Sequence, residues 1–143
     1  MQVKDKDDKQ IVMRSVEEIP LSNGLIVEVL DKSISIAADT TKVQLLIRTK
    51  IELQPSYFIK PEHFELVRNI MGPEIFFEYT KERAFVNNKK KDAVFQELLV
   101  AFKKDSLPYL SKPTFPRSFA LSKYWEIEKN RYKYRSFFEE KPS

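Results

Sequence analysis

The chain has 143 residues, 42% of them hydrophobic and 13% aromatic, with a formal net charge of +4 at pH 7. A chain of this size buries roughly 70% of its extended surface, and its apolar content is too high for a disordered polymer. It has no cysteine, which excludes disulfides, thiolate nucleophiles and zinc–thiolate sites.

No apolar run approaches the ~20 residues of a membrane helix, and residues 1–10 are polar, without a secretory apolar core. The expectation is a cytoplasmic protein with no membrane partner. Residues 1–60 carry equal numbers of bases and acids, so the whole positive excess lies in 61–143. That density falls short of a dedicated DNA-binding surface.

Residues 1–10 read as a disordered N-terminal tail, and 11–143 as a single domain. Residues 12–19 lead in as an irregular or short extended piece. Asn23-Gly24 marks a turn, because both residues tolerate positive φ. A strand follows over 25–30, with Ile34 and Ile36 continuing it past a kink at Asp31-Lys32-Ser33. The clearest element is 43–53. There Val43, Leu45, Ile47, Thr49, Ile51 and Leu53 share one face, while Gln44, Leu46, Arg48, Lys50 and Glu52 share the other. The short polar segment between the strands favours antiparallel pairing, and Pro55 ends the second.

Pro61 opens a helix with Phe64, Val67, Ile70 and Met71 inward, and Gly72-Pro73 stops it. A third strand covers 75–79, with 83–86 either its continuation or a short return. A second helix over 92–104 turns Val94, Phe95, Leu98, Leu99, Ala101 and Phe102 inward. Pro108, Pro113 and Pro116 predict a non-helical connector, and a last helix is expected over 117–136. The architecture is α+β: a small antiparallel sheet of three to four strands, covered on one face by about three helices in a two-layer sandwich. A small β-barrel with helical additions is the alternative.

The chemistry is sparse. His63, the single histidine, falls in the first turn of the Pro61 helix and reads as a surface residue, with no second close-spaced ligand to make a metal site. No Gly-x-Ser-x-Gly elbow presents a nucleophile. The two glycines, Gly24 and Gly72, both serve turns, so phosphate-cradling loops are absent. The acidic pairs Asp31/Asp39 and Glu78/Glu82 lack any spacing that sets them at a working distance, and Lys81-Glu82-Arg83 reads as a surface network. A non-enzymatic protein without cofactor or metal is expected.

Asp31-Lys32-Ser33 after a strand resembles the Asp-x-Ser element of PilZ domains, which implies binding of an anionic cyclic nucleotide. The motif's following glycine is replaced by Ile34-Ser35-Ile36, and Arg14 is the only arginine before Asp31. Three further places resemble a family of short uncharacterised bacterial proteins. They are Leu21-Ser22-Asn23-Gly24-Leu25 with Asp31-Lys32-Ser33; Tyr79, Glu82-Arg83 and Phe85-Val86; and Tyr109-Leu110-Ser111 with Pro113 and Phe115-Pro116. That likeness spans about 16–129 and implies a stand-alone bacterial domain, with no functional residue to carry over.

The tail is the richest segment. On one helix Ala120, Tyr124, Ile127, Arg131, Tyr134 and Phe138 share a face, widened by Leu121, Trp125 and Tyr132. Burial of Tyr124, Trp125 and Ile127 contributes roughly 1.5–3 kcal/mol each before entropy, which assigns 119–127 to the core. Arg131 then interrupts the stripe. Arg131, Tyr132, Lys133, Tyr134, Arg135, Phe137 and Phe138 form the candidate interaction surface, since exposed aromatic clusters mark partner sites. A protein partner or a second copy is the expected occupant. Weak single-stranded nucleic-acid binding, with Tyr132 or Tyr134 stacking on bases, is the alternative.

Overall fold

A computed structural model describes residues 13–138; the expected tail over 1–10 lies outside them. The fold is α+β. Five strands form one sheet: β1 (Arg14–Pro20), β2 (Ile26–Asp31), β3 (Ile34–Ala37), β4 (Thr40–Glu52) and β5 (Glu74–Asn87). β1 pairs with β2, and β2 and β3 both pair with β4, all antiparallel; β5 also pairs with β4. The helices are α1 (Pro61–Met71), α2 (Lys91–Asp105), α3 (Leu107–Leu110), α4 (Phe115–Lys129) and α5 (Arg135–Phe138).

The sheet exceeds the expected three to four strands because the lead-in piece is a full strand, β1, and the kink divides β2 from β3. The two halves keep one register on β4, with Val27 opposite Thr49, Asp31 opposite Leu45 and Ile34 opposite Lys42. The kink itself is held by hydrogen bonds. Lys32 N–H donates to the Gln44 carbonyl (2.9 Å), Gln44 N–H to Ser33 Oγ (3.0 Å) and Ser33 N–H to Asp31 Oδ1 (2.9 Å). Side-chain oxygens thus complete a ladder that the bent backbone interrupts.

The described residues fall in two compact units: those up to Thr49 together with Glu78–Lys112, and Lys50–Phe77 together with those from Pro113 on. In the first, Val27, Val29, Val43, Leu45 and Ile47 are fully buried, as the alternation along β4 requires. Leu46 breaks the alternation by being buried as well. α2 buries Phe95, Leu98, Leu99 and Phe102, and the Phe102 ring lies 5.9 Å from Tyr79 of β5. Gly24 adopts φ 93°, as its turn demands. Asn23 locks this turn: its Oδ1 accepts from Leu25 N–H, and its Nδ2 donates to the Leu110 and Lys112 carbonyls, both at 2.8 Å. Two of the segments singled out in the sequence therefore meet.

In the second unit α1 contacts α4, and Ile51, Val67, Ile75, Ala120 and Ile127 are buried. Phe77 meets Phe115 and Phe119 edge-on, with ring centroids 5.6 and 5.7 Å apart. Gly72 ends α1 at φ 89°, its N–H donating to the Arg68 carbonyl.

One open alternative is resolved and three expectations change. Residues 83–86 continue β5 rather than returning. The proline connector contains α3, and Phe115 opens α4, because Pro108 and Pro116 stand in first turns where no amide hydrogen is needed. The last helix stops at Lys129, where Asn130 leaves helical geometry and donates its Nδ2 to the Glu126 carbonyl (2.8 Å). A tight turn at Arg131–Tyr134 and α5 follow. Trp125 is 53% exposed: Ala120, Tyr124 and Ile127 occupy the buried stripe, and Trp125, one position round the helix, meets Tyr124 edge-on at 5.0 Å.

Candidate functional site

The candidate site lies in the second unit. α1 presents Glu62, His63, Glu65 and Leu66; α4 presents Tyr124 and Glu128; and Arg131, Phe137 and Phe138 complete a groove of about 740 Å³. The break at Asn130 creates it, since a straight helix through 136 would carry the terminal aromatics away from α1, which α5 instead contacts.

The groove has an ordered interior corner. His63 stacks on Tyr124 at 4.1 Å, and the Tyr124 hydroxyl donates to Glu128 Oε2 at 2.9 Å. Arg131 Nε lies 3.4 Å from Glu128 Oε1, and its guanidinium sits 3.8 Å from the centre of the Phe138 ring. Burial raises the Tyr124 phenol above 10.0, reinforced by the hydrogen bond to Glu128 and that carboxylate's charge, while Arg131 opposes the shift. His63 is half-buried rather than on the surface, and its Nδ1 is buried without a hydrogen-bond partner among the described residues.

Of the sequence-predicted surface, Arg131, Phe137 and Phe138 line the groove, and Tyr132, Lys133 and Arg135 stand exposed in the same turns. Tyr134 is half-buried, and none of the segment's residues is fully buried. Tyr132 is 67% exposed and Phe137 47%. The groove's α1 wall was missed. Glu62 and Glu65 read as favourable charges near the helix start, and their sequence position contains no sign of the tail packing beside them. The α4 corner has a weak signal in the four- and three-residue spacings from Tyr124 to Glu128 to Arg131.

The first unit has its own cavity, of about 670 Å³, into which Arg14, Asp31 and Ser33 all face. Arg14 is committed to Asp31 at 2.8 Å, and Asp31 and Ser33 hold the β2–β3 kink. Lys91 and Asp92 add one charge of each sign, so the charged lining offers an anion no net attraction. The other acids singled out in the sequence are also engaged: Glu78 with Arg48 at 3.0 Å, and Glu82 with Gln44 at 2.7 Å and Lys42 at 3.8 Å. Arg83 reaches Glu97 at 3.9 Å. Asp39 accepts from Thr40.

Among the described residues no group of three or more His, Asp or Glu is placed to hold a metal ion, and no helix is long and apolar enough to cross a membrane. Compared with protein-family models, curated proteins and solved structures, the chain matches none.

Proposed function

We propose that this is a non-enzymatic cytoplasmic interaction domain whose docking surface is the groove beside α1 together with the turns over Arg131–Phe138. The observation that supports it is the exposure of Tyr132 and Phe137 in a segment without a buried residue, directly beside an open groove. Large aromatics held bare on a short ordered segment lose the stabilisation of burial unless a partner covers them. Tyr and Arg, both present here, recur where binding energy concentrates.

The nucleic-acid reading is less well supported, because Glu62, Glu65 and Glu128 share the groove with Arg131 and repel phosphates. The test is affinity capture with the intact protein and with Tyr132→Ser/Phe137→Ser. The expected result is a protein recovered with the former and lost with the latter, at an unchanged melting temperature. Equal recovery by both, or salt-sensitive binding of single-stranded oligonucleotides, overturns the proposal.

A further inference from the structure

The partner's chemistry follows from the charges around the groove. Glu62 and Glu65, three residues apart on α1, are both exposed, and so are Lys133 and Arg135 in the terminal turns. None of the four has an ion-pair partner among the described residues. Arg131, Glu128, Lys123, Glu126, Lys50 and Glu74 of the same unit are paired, while Glu52, Lys60, Arg68, Arg117 and Lys129 also make no ion pair among the described residues. The acidic pair stands on α1 and the basic pair on the terminal segment whose last turn, α5, contacts α1; Glu62, Glu65 and exposed Phe137 share the groove, and exposed Tyr132 belongs to the turn before α5.

A patch of this kind is complementary to itself. A two-fold axis places the basic strip of one protomer on the acidic rim of the other and, by symmetry, the reverse, so each pair is made twice. Exposed Tyr132 and Phe137 of the same segment supply apolar area, and the charges set the register. An acidic partner would satisfy only the basic strip, and a neutral partner neither.

Resting on the docking surface argued above, we infer that the partner is a second copy of this chain. Tyr132, Lys133 and Arg135 of each protomer lie against Glu62 and Glu65 of the other.

The experiment is sedimentation of the intact protein, of Glu62→Lys/Glu65→Lys, of Lys133→Glu/Arg135→Glu and of an equimolar mixture of the two variants. All four substituted positions are exposed, and each variant's melting temperature is measured in parallel. The intact protein is expected to dimerise, more weakly as salt rises. Each variant alone is expected to dimerise about tenfold more weakly or worse, since several small ion-pair losses accumulate, and the mixture is expected to recover a mixed dimer.

A dimer indifferent to both reversals overturns the inference, as does a mixture no tighter than its components. An intact protein that stays monomeric also overturns it. In that case, loss of a captured protein through Tyr132→Ser/Phe137→Ser leaves the docking surface standing, and absence of that loss removes both.

Discussion

α4 and the turns that follow it are built from the same residue types, aromatics interleaved with bases, yet they end in opposite environments. α4 buries Phe115, Ala120, Tyr124 and Ile127, whereas Arg131–Tyr134 and Arg135–Phe138 bury nothing fully. The difference is periodicity. Over α4 the buried positions recur about once per turn, with Phe115 against Phe77 of β5 and Tyr124 against His63 of α1. Past Asn130 the helix breaks, the spacing loses its meaning, and the rings emerge on several sides. Composition alone does not separate the two; the helix end decides which part is core and which part stays exposed.

The largest expected contrast is in stability. Ile127→Ala is expected to cost about 2–5 kcal/mol, since the side chain is fully buried. Tyr132→Ser/Phe137→Ser is expected to stay within about 0.5 kcal/mol per site. Urea midpoints measure both, and comparable losses would erase the distinction between the two segments.

A smaller loss is expected from a polar anchor in the other unit. Asn23→Ala removes the donor to the Leu110 and Lys112 carbonyls and the acceptor for Leu25 N–H, a cost of about 1–3 kcal/mol in the same measurement.

Tyr124 gives a pH test. Its folded pKa lies above the ordinary 10.0, so the folded state keeps a proton that the unfolded chain has already released. The associated stability is complete below pH 10.0 and is lost as pH rises through the folded value. Tyr57 adds to the effect in the same direction, through burial and the charge of Glu52. Tyr124→Phe is expected to shrink the alkaline loss, read as a flatter fall of the urea midpoint above pH 10.0.

The smallest effect concerns Phe85, 80% exposed and at φ 57° within β5. A large side chain in left-handed geometry is strained. Phe85→Asn is therefore expected to hold or raise stability by up to about 1 kcal/mol, visible as a small rise in melting temperature.

Much of the fold was legible because local signals and burial agreed. The alternation along β4, Pro61 and Gly72 bounding α1, and the kink at Asp31-Lys32-Ser33 all correspond to physical constraints on a few adjacent residues. β1 was only half legible, because Arg14–Pro20 has a partly exposed pattern and takes its strand geometry from pairing with β2. The stop at Asn130 was not legible, since a single asparagine competes with helical spacings that run on past it to Tyr134 and Phe138, until its side chain finds the Glu126 carbonyl. At the site, the aromatic side of the groove could be named from the sequence. Glu62, His63 and Glu65 could not, because they join it through contact between segments far apart in the chain.

The most direct measurement is amide hydrogen exchange across the tail in dilute and in concentrated protein. Amides of α4 are expected to exchange slowly at both concentrations, as core does. Amides over Arg131–Phe138 are expected to exchange fast when dilute and slowly when concentrated, as a self-docking surface does. Exchange over Arg131–Phe138 that is the same at both concentrations, or fast exchange throughout α4, would contradict the division of the tail into core and contact surface.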